Sequence, residues 1–414
     1  MINIAILGFG VVGSGVAEVC RMNNESIRRR AGKAINIKKI LDLREFPDDP
    51  LADRITHNAD DILNDSEIAV VVETIGGAGF AYDMTKRALK AGKHVVTSNK
   101  ELVAKHGPEL MALAHQNNVN YLFEASVGGG IPIIRPLHKC LAANKIENII
   151  GILNGTTNYI LTRMEESGIT FADALKEAQE LGFAEQNPAA DVDGIDACRK
   201  IAILGSIAFG EYIDSDKIHT EGISSITVRD MKYASALGCK VKLLASLKRR
   251  PGKLADMIVA PMLLPASHPV AVAQGVFNAI LINGNALGEA MFYGQGAGKL
   301  PTASAVVADV IECVMHLDKQ PHDITWSVSQ RENVVPHNEC SVRVLARISK
   351  NGNIAGAEEL FAPYGMERLE DVFEDEAAYQ VGLSQTNRLN EERWQQIAAH
   401  LRGDLAGWIR FSKV

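Results

Sequence analysis

The sequence predicts an α/β chain whose first portion is a doubly wound parallel sheet, and three observations carry that prediction. Short apolar runs alternate with helical segments through residues 1–125, the pattern of βαβ units feeding a parallel sheet. The first strand-to-helix turn reads Gly8-Phe9-Gly10-Val11-Val12-Gly13, a GxGxxG. After Gly128-Gly129-Gly130 the rhythm shifts to longer helical stretches, so a second, α+β domain is expected. At roughly 100 to 200 residues per domain, a chain of 414 residues holds two to four domains.

The elements follow in order. Residues 2–7 are apolar and 11–22 are apolar and small, giving strand, glycine turn and helix. Residues 35–41 read as a second strand ending at Asp42, and 68–73 as a third that meets Gly76 and Gly77. A helix over 82–91 and a short strand over 94–97 come next. Beyond the triple glycine, helices are expected over 159–167, 171–181 and 193–209, with fewer regular strands. From Glu339 a third pattern begins: strand 341–348, helix 354–364, strands near 367–373 and 378–384, helix 390–402 and strand 406–412. That order is βαββαβ, a split βαβ arrangement. The expected division is 1–127, 128–299 and 339–414.

Composition bounds the function. Hydrophobic residues at 47% and charged residues at 22% describe a globular chain rather than a disordered, collagenous or membrane protein. A net charge of -7 gives no general attraction to nucleic acid or anionic membranes, so neither is expected as a partner. The cysteines at 20, 140, 198, 239, 313 and 340 form no CxxC or zinc spacing and read as thiols of a reducing, cytoplasmic setting. The N-terminus lacks the basic region and cleavage site of a signal peptide. Residues 257–288 are free of charge, but their prolines, asparagines and His268 exclude a bilayer-spanning helix.

Several motifs can carry chemistry. The glycines at 8, 10 and 13, with Phe9 and Val12 between them, permit a tight turn and close approach of a pyrophosphate to a helix N-terminus. At the end of the second strand, a carboxylate suits the ribose hydroxyls of NAD and an arginine the 2'-phosphate of NADP; Asp42 and Arg44 offer both. Lys100 follows a strand at its ligand-binding end, where it reads either as a donor to cofactor or substrate or as a surface lysine. Glu124 to Ile131 is a carboxylate before a glycine turn; by spacing alone it reads as a hinge, with oxygen ligands for a hard cation as the alternative. The segment from Gly182 through Glu185, Asp191 and Asp196 to Lys200 gathers carboxylates and cations. Asp196 and Lys200 are spaced i, i+4, the arrangement of a solvated ion pair or of an acid/base pair facing a zwitterionic substrate. Asn154 to Tyr159, including Thr156, is a helix cap or a substrate-facing loop. Residues 294–298, including Gly296, form a second glycine loop at a helix start, where a ligand can approach the backbone.

Taken together these motifs resemble the homoserine dehydrogenase family. GFGVVG, TSNKELVA at 97–104, EASVGGGIPII at 124–134, NGTTNYIL at 154–161, LGFAE and DVDGIDACRK within 181–200, and GQGAGKLPTASAVV at 294–307 stand in the family's order. The resemblance implies reversible hydride transfer between NAD or NADP and L-aspartate 4-semialdehyde, giving L-homoserine on the route to threonine, methionine and isoleucine. It implies a Rossmann-type nucleotide-binding domain, completed by a return segment near 300–320, and a middle domain for substrate and dimerisation, in a homodimer or homotetramer. Carried over by position, Lys200 is the catalytic acid/base. Glu185, Asp191 and Asp196, with Gly182 and Thr156, shape the substrate pocket. Gly8, Phe9, Gly10, Val12, Gly13, Lys100 and Gly296 meet the cofactor. Glu124, Val127, Gly129 and Ile131 hold a monovalent cation, sodium. The tail resembles an ACT regulatory module, but its first turn, Ser349-Lys350-Asn351-Gly352-Asn353, lacks the Asp-x-Pro-Gly of an effector loop, which argues against threonine feedback. The competing expectations are another Rossmann oxidoreductase or a catalytically silent amino-acid sensor.

Overall fold

The computed structural model describes residues 1–253, 255–317, 324–329 and 332–413. Its N-terminal sheet contains β1 (Ile2–Leu7), β2 (Ile35–Leu41), β3 (Ile55–Thr56), β4 (Ile68–Glu73), β5 (His94–Thr97) and β6 (Tyr121–Leu122). Every pairing is parallel, in the order β3-β2-β1-β4-β5-β6. The connections carry α1 (Val11–Met22), α2 (Asn24–Ala31), α3 (Asp60–Leu63), α4 (Phe80–Lys90) and α5 (Lys100–Gln116). β1, β4 and β5 read as nearly unbroken apolar runs because helices cover both faces of the sheet. The winding direction reverses between β1 and β4, which opens a crevice at the carboxyl ends of those strands. α4 starts two residues before the expected position, directly after Gly79.

The middle of the chain comprises β7 (Ile146–Ile152), α6 (Gly155–Ser167), α7 (Phe171–Glu180), α8 (Ala189–Val192), α9 (Ile195–Phe209), β8 (His219–Thr220) and α10 (Val228–Ala236). It continues through β9 (Cys239–Arg249), β10 (Ala255–Pro265), β11 (Phe277–Gly284) and β12 (Gly288–Gln295). The expectation of fewer regular strands is overturned here. β12, β11, β7, β9 and β10 lie side by side as long antiparallel strands. β10 shows why this was hidden. Its odd residues, Ala255, Met257, Val259 and Leu263, enter one core, and Ile258, Ala260, Met262 and Leu264 enter another. A strand buried on both faces has no alternation of apolar and polar residues. α11 (Lys299–Met315) then returns to the first sheet and packs on α1. A Cβ on Gly15 would lie 2.8 Å from the Lys299 carbonyl oxygen, so glycine is what lets the two helices approach. The end of the expected return segment, residues 318–320, lies outside the described residues.

The tail contains β13 (Val344–Ser349), α12 (Ile354–Phe361), β14 (Met366–Arg368), β15 (Glu376–Val381), α13 (Glu391–His400) and β16 (Leu405–Phe411). The βαββαβ order is present, with shorter strands than expected; β15 stops where Gly382 takes a φ of 97°. The spatial order is β16-β13-β15-β14, and β16 also pairs in parallel with β10 through Met262–Arg410 and Leu263–Phe411. One mixed sheet therefore runs from the middle of the chain into the tail. Ion pairs cross the same seam: Arg347 with Asp230, buried on both sides, and Arg410 with Glu221 and Lys413 with Asp256, each buried on one side.

Candidate active site

The glycine turn lies where the winding reverses. Gly8 has a φ of 91°, and Thr74 fixes the turn by donating its hydroxyl to the carbonyls of Leu7 and Gly8. A Cβ on Gly13 would fall 2.0 Å from the Gly8 oxygen, whereas a Cβ on Gly10 would meet nothing within 4 Å. Gly13 is thus required by the turn itself, and Gly10 leaves open space at the N-terminus of α1. Beside it runs a cleft of about 700 Å³ lined by Gly8, Gly10, Asp42, Arg44, Thr74 and Phe80, among others. That volume and the open amide end of α1 fit a dinucleotide. Phe9 is buried edge-on to Phe46, and its N–H donates to Asp42 Oδ2 at 2.7 Å. Arg44 closes on the same carboxylate with two 3.0 Å contacts, and holds it well below the ordinary carboxylate range. Val12 packs at the edge of the apolar cluster behind the turn.

Sequence reasoning missed Glu73, the last residue of β4, which lies behind the cleft residues Thr74 and Ile75. Its buried carboxylate accepts the Ile75 N–H and the Thr97 hydroxyl, and burial pushes its pKa up. An acid ending a buried strand immediately before a glycine loop was the signal available.

The charged segment forms a second centre, between α5 and α9. Asp196 and Lys200 share a face of α9 and are 2% and 8% exposed, which excludes the solvated ion pair. Lys200 Nζ lies 2.7 Å from Asp196 Oδ2 and donates to the Leu153 carbonyl at 2.8 Å. Lys100, at the first turn of α5, places its Nζ 2.7 Å from Asp196 Oδ1. Burial would raise the Asp196 pKa, but the two ammonium groups outweigh it and hold it below the ordinary range. Burial lowers Lys200, with Asp196 opposing; Lys100 is raised by Asp196. Asp191 joins through Asn154, whose amide donates to Asp191 Oδ1 at 2.7 Å and to Asp196 Oδ2 at 2.9 Å. Burial and the neighbouring Asp196 charge raise the Asp191 carboxyl. Arg199 and Glu101 pair 3.3 Å apart across the same two helices.

Other expected residues are placed differently. Lys100 spans to Asp196 rather than lying free in the dinucleotide cleft, because the buried carboxylate on α9 is the stronger attraction. Thr156 donates its hydroxyl to the Phe183 carbonyl, tying α6 to the loop at Gly182. Gly182 is exposed with a φ of 75° and ends the helical stretch after α7. Glu185 is exposed, and its carboxylate has no polar partner among the described residues, so the structure does not bring it into the cluster. Glu124 is buried, but its carboxylate accepts the backbone N–H groups of Ile133, Ile134 and Arg135. Three amide donors satisfy that charge. No backbone N–H in the described residues reaches the carbonyls of Val127, Gly129 or Ile131, all buried. Among the described residues no group of three His, Cys, Asp or Glu side chains could hold a metal ion. Gly296 is buried against Asn278, and its carbonyl sits where a Cβ on Gly129 would fall, 2.2 Å away; close packing explains this glycine without a ligand.

Comparisons with known proteins show the family. The family described as "Homoserine dehydrogenase, NAD binding domain" matches residues 8–124, and "Homoserine dehydrogenase" matches 132–311. A homoserine dehydrogenase of Pseudomonas aeruginosa is 40% identical over 97% of this chain and 95% of its own length. The crystal structure of a homoserine dehydrogenase from Thiobacillus denitrificans superposes with a TM-score of 0.90 at 36% identity, covering 99% of this chain and 98% of that one. A hyperthermophilic archaeal homoserine dehydrogenase in complex with NADPH matches with a TM-score of 0.66 at 31% identity, over 77% of this chain and 99% of its own. The parallel sheet with its open glycine turn is an NAD(P)-binding fold, and the chain belongs to the homoserine dehydrogenase family, oxidoreductases that interconvert L-homoserine and L-aspartate 4-semialdehyde.

Proposed function

We propose that Lys200 is the acid/base of this reaction and that the cluster between α5 and α9 is the substrate site. The buried contact of Lys200 with Asp196 carries the reading: an ammonium with a fixed counter-charge and a lowered pKa is suited to exchanging a proton. When bound, the nicotinamide supplies or accepts the hydride. In the reducing direction Lys200 donates a proton to the oxygen that develops negative charge at the former aldehyde; in the oxidising direction its neutral form takes the proton of the homoserine hydroxyl. Asp191 holds the substrate ammonium from the buried side; Glu185, exposed on the loop that Thr156 tethers, is assigned to the same ammonium by its place in the family's LGFAE motif alone. Lys100, kept charged by Asp196, steadies the reacting oxygen and joins the cofactor portion to the site.

The domains assigned are 1–127 with α11 for the nucleotide, 128–299 for substrate and dimerisation, and 339–414 as an ACT-like module. Gly8 to Gly13 take the pyrophosphate, and Gly296 lines the mouth beside Gly129. Both NAD and NADP are accepted, since Asp42 suits ribose hydroxyls and the exposed Arg44 a 2'-phosphate. A sodium ion is held by the carbonyls of Glu124, Val127, Gly129 and Ile131; oxygen-only donors without side-chain charge suit a monovalent cation. Edge strand β12 exposes Met291 and Tyr293, 41% and 48% accessible, and supports a homodimer or homotetramer. The cysteines, which form no disulfide among the described residues, support a reducing, cytoplasmic setting.

The test follows reduced-cofactor absorbance with L-homoserine and each of NAD and NADP, for wild type and Lys200→Ala. The variant is expected to lose about 100- to 10000-fold in kcat, the scale of general acid–base catalysis, with cofactor affinity retained. Near-normal turnover would overturn the assignment.

A further inference from the structure

We infer that Asn154 is a positioning residue for this reaction, sharing its single amide nitrogen between Asp191 and Asp196 and so fixing the oxygen of Asp196 that faces Lys200. The inference rests on the role proposed for Lys200. Asn154 Nδ2 donates to Asp191 Oδ1 at 2.7 Å and to Asp196 Oδ2 at 2.9 Å. The oxygen it contacts on Asp196 is the one 2.7 Å from Lys200 Nζ. An amide NH₂ has two hydrogens, and here each meets a different carboxylate. The orientation of the amide is fixed from its other end, where Oδ1 accepts the Thr157 N–H at 2.9 Å and the Thr157 hydroxyl at 3.0 Å. A flipped amide would set its NH₂ against the Thr157 N–H and its oxygen against two carboxylates. The preceding residue contributes as well, since the Leu153 carbonyl accepts from Lys200 Nζ. The end of β7 therefore gathers Asp191, Asp196 and Lys200 from α8 and α9.

The electrostatic consequence is specific. Two carboxylates that contact one nitrogen repel each other in a site of low polarity. A neutral donor between them lets both stay charged opposite Lys100 and Lys200, without adding a cation that would compete for Asp196. Those four groups, with Arg199 and Glu101 alongside, are the charges facing the amide from α5, α8 and α9.

Asn154 also caps α6, so the test separates the two roles. Serine and aspartate are both good N-caps, and aspartate has the shape of asparagine. A capping role alone predicts that Asn154→Ser and Asn154→Asp keep both thermal midpoint and activity. The positioning role predicts that Asn154→Ser keeps its midpoint yet loses about 10- to 100-fold in kcat/KM for homoserine, the scale of a hydrogen bond to a charged group. Asn154→Asp is expected to fall further despite its matching shape. Its added negative charge stabilises the Lys200 ammonium, so its limb in the pH profile of homoserine oxidation moves to higher pH. Wild-type kcat/KM and an unmoved limb in Asn154→Asp would overturn the inference. If Lys200→Ala is inactive while both Asn154 variants behave as wild type, this inference alone fails. If Lys200→Ala stays active, the reading of the site beneath it fails.

Discussion

Burial decides what Lys200 can do. Taking an ammonium out of water lowers its pKa, and the Asp196 carboxylate 2.7 Å away opposes that shift. In the acid/base role proposed for Lys200, homoserine oxidation uses the neutral amine, so its rate is expected to rise with pH and level off below the ordinary lysine range. Semialdehyde reduction needs the ammonium and should fall through the same limb. Steady-state kcat in both directions across pH 6 to roughly 10 would show the two profiles crossing; parallel profiles would contradict the acid/base role. The pair itself was legible, because residues four apart in an apolar helix must share a face. Asn154 was not, because Asp191 and Asp196 lie 37 and 42 residues from it and meet it only through the packing of β7 against α8 and α9. The carboxylate contacts of Glu124 were hidden for a related reason: nothing local shows that it turns toward the amides of residues 133 to 135.

At the scale of elements, the GxGxxG turn gives its glycines unequal work. Gly10→Ala is expected to leave the thermal midpoint unchanged and to weaken cofactor binding, because its Cβ would enter the space left for the ligand. Gly13→Ala should instead destabilise the fold by about 1–3 kcal/mol, since the Gly8 carbonyl must move aside. Thermal melts paired with cofactor titration would separate the two; equal melting losses would show that Gly10 has a packing role. The strand, turn and helix at this site were readable because parallel strands between helices announce themselves as apolar runs. The long antiparallel strands of the middle portion were not. β10 faces two cores, and its interruptions, the polar Asp256 and the two prolines, fall where no period exposes them.

For the whole molecule, the sheet shared by β10 and β16 makes the tail a structural partner of the middle portion. Truncation after Val335 would bare the edge of β10 and strip Glu221, Asp230 and Asp256 of Arg410, Arg347 and Lys413. The truncated chain is expected to melt earlier and to aggregate, as unpaired edges do. In the full chain, L-threonine should leave activity unchanged, because the Ser349–Asn353 turn is filled by its own contacts: Asn353 caps α12, and Gly352 packs on Asp404. Strong threonine inhibition that vanishes on truncation would contradict this. The six tail elements could be read from their order, whereas their joining to β10 could not, since that pairing spans about 150 residues of sequence. The same pairing bears on how the protein is made. The neighbour that β10 needs is supplied by Arg410 and Phe411, so about 150 further residues must be translated after β10 before the sheet of the middle portion can close. During that interval the nascent chain carries an open sheet edge, and a chaperone that shields such edges would have its client here.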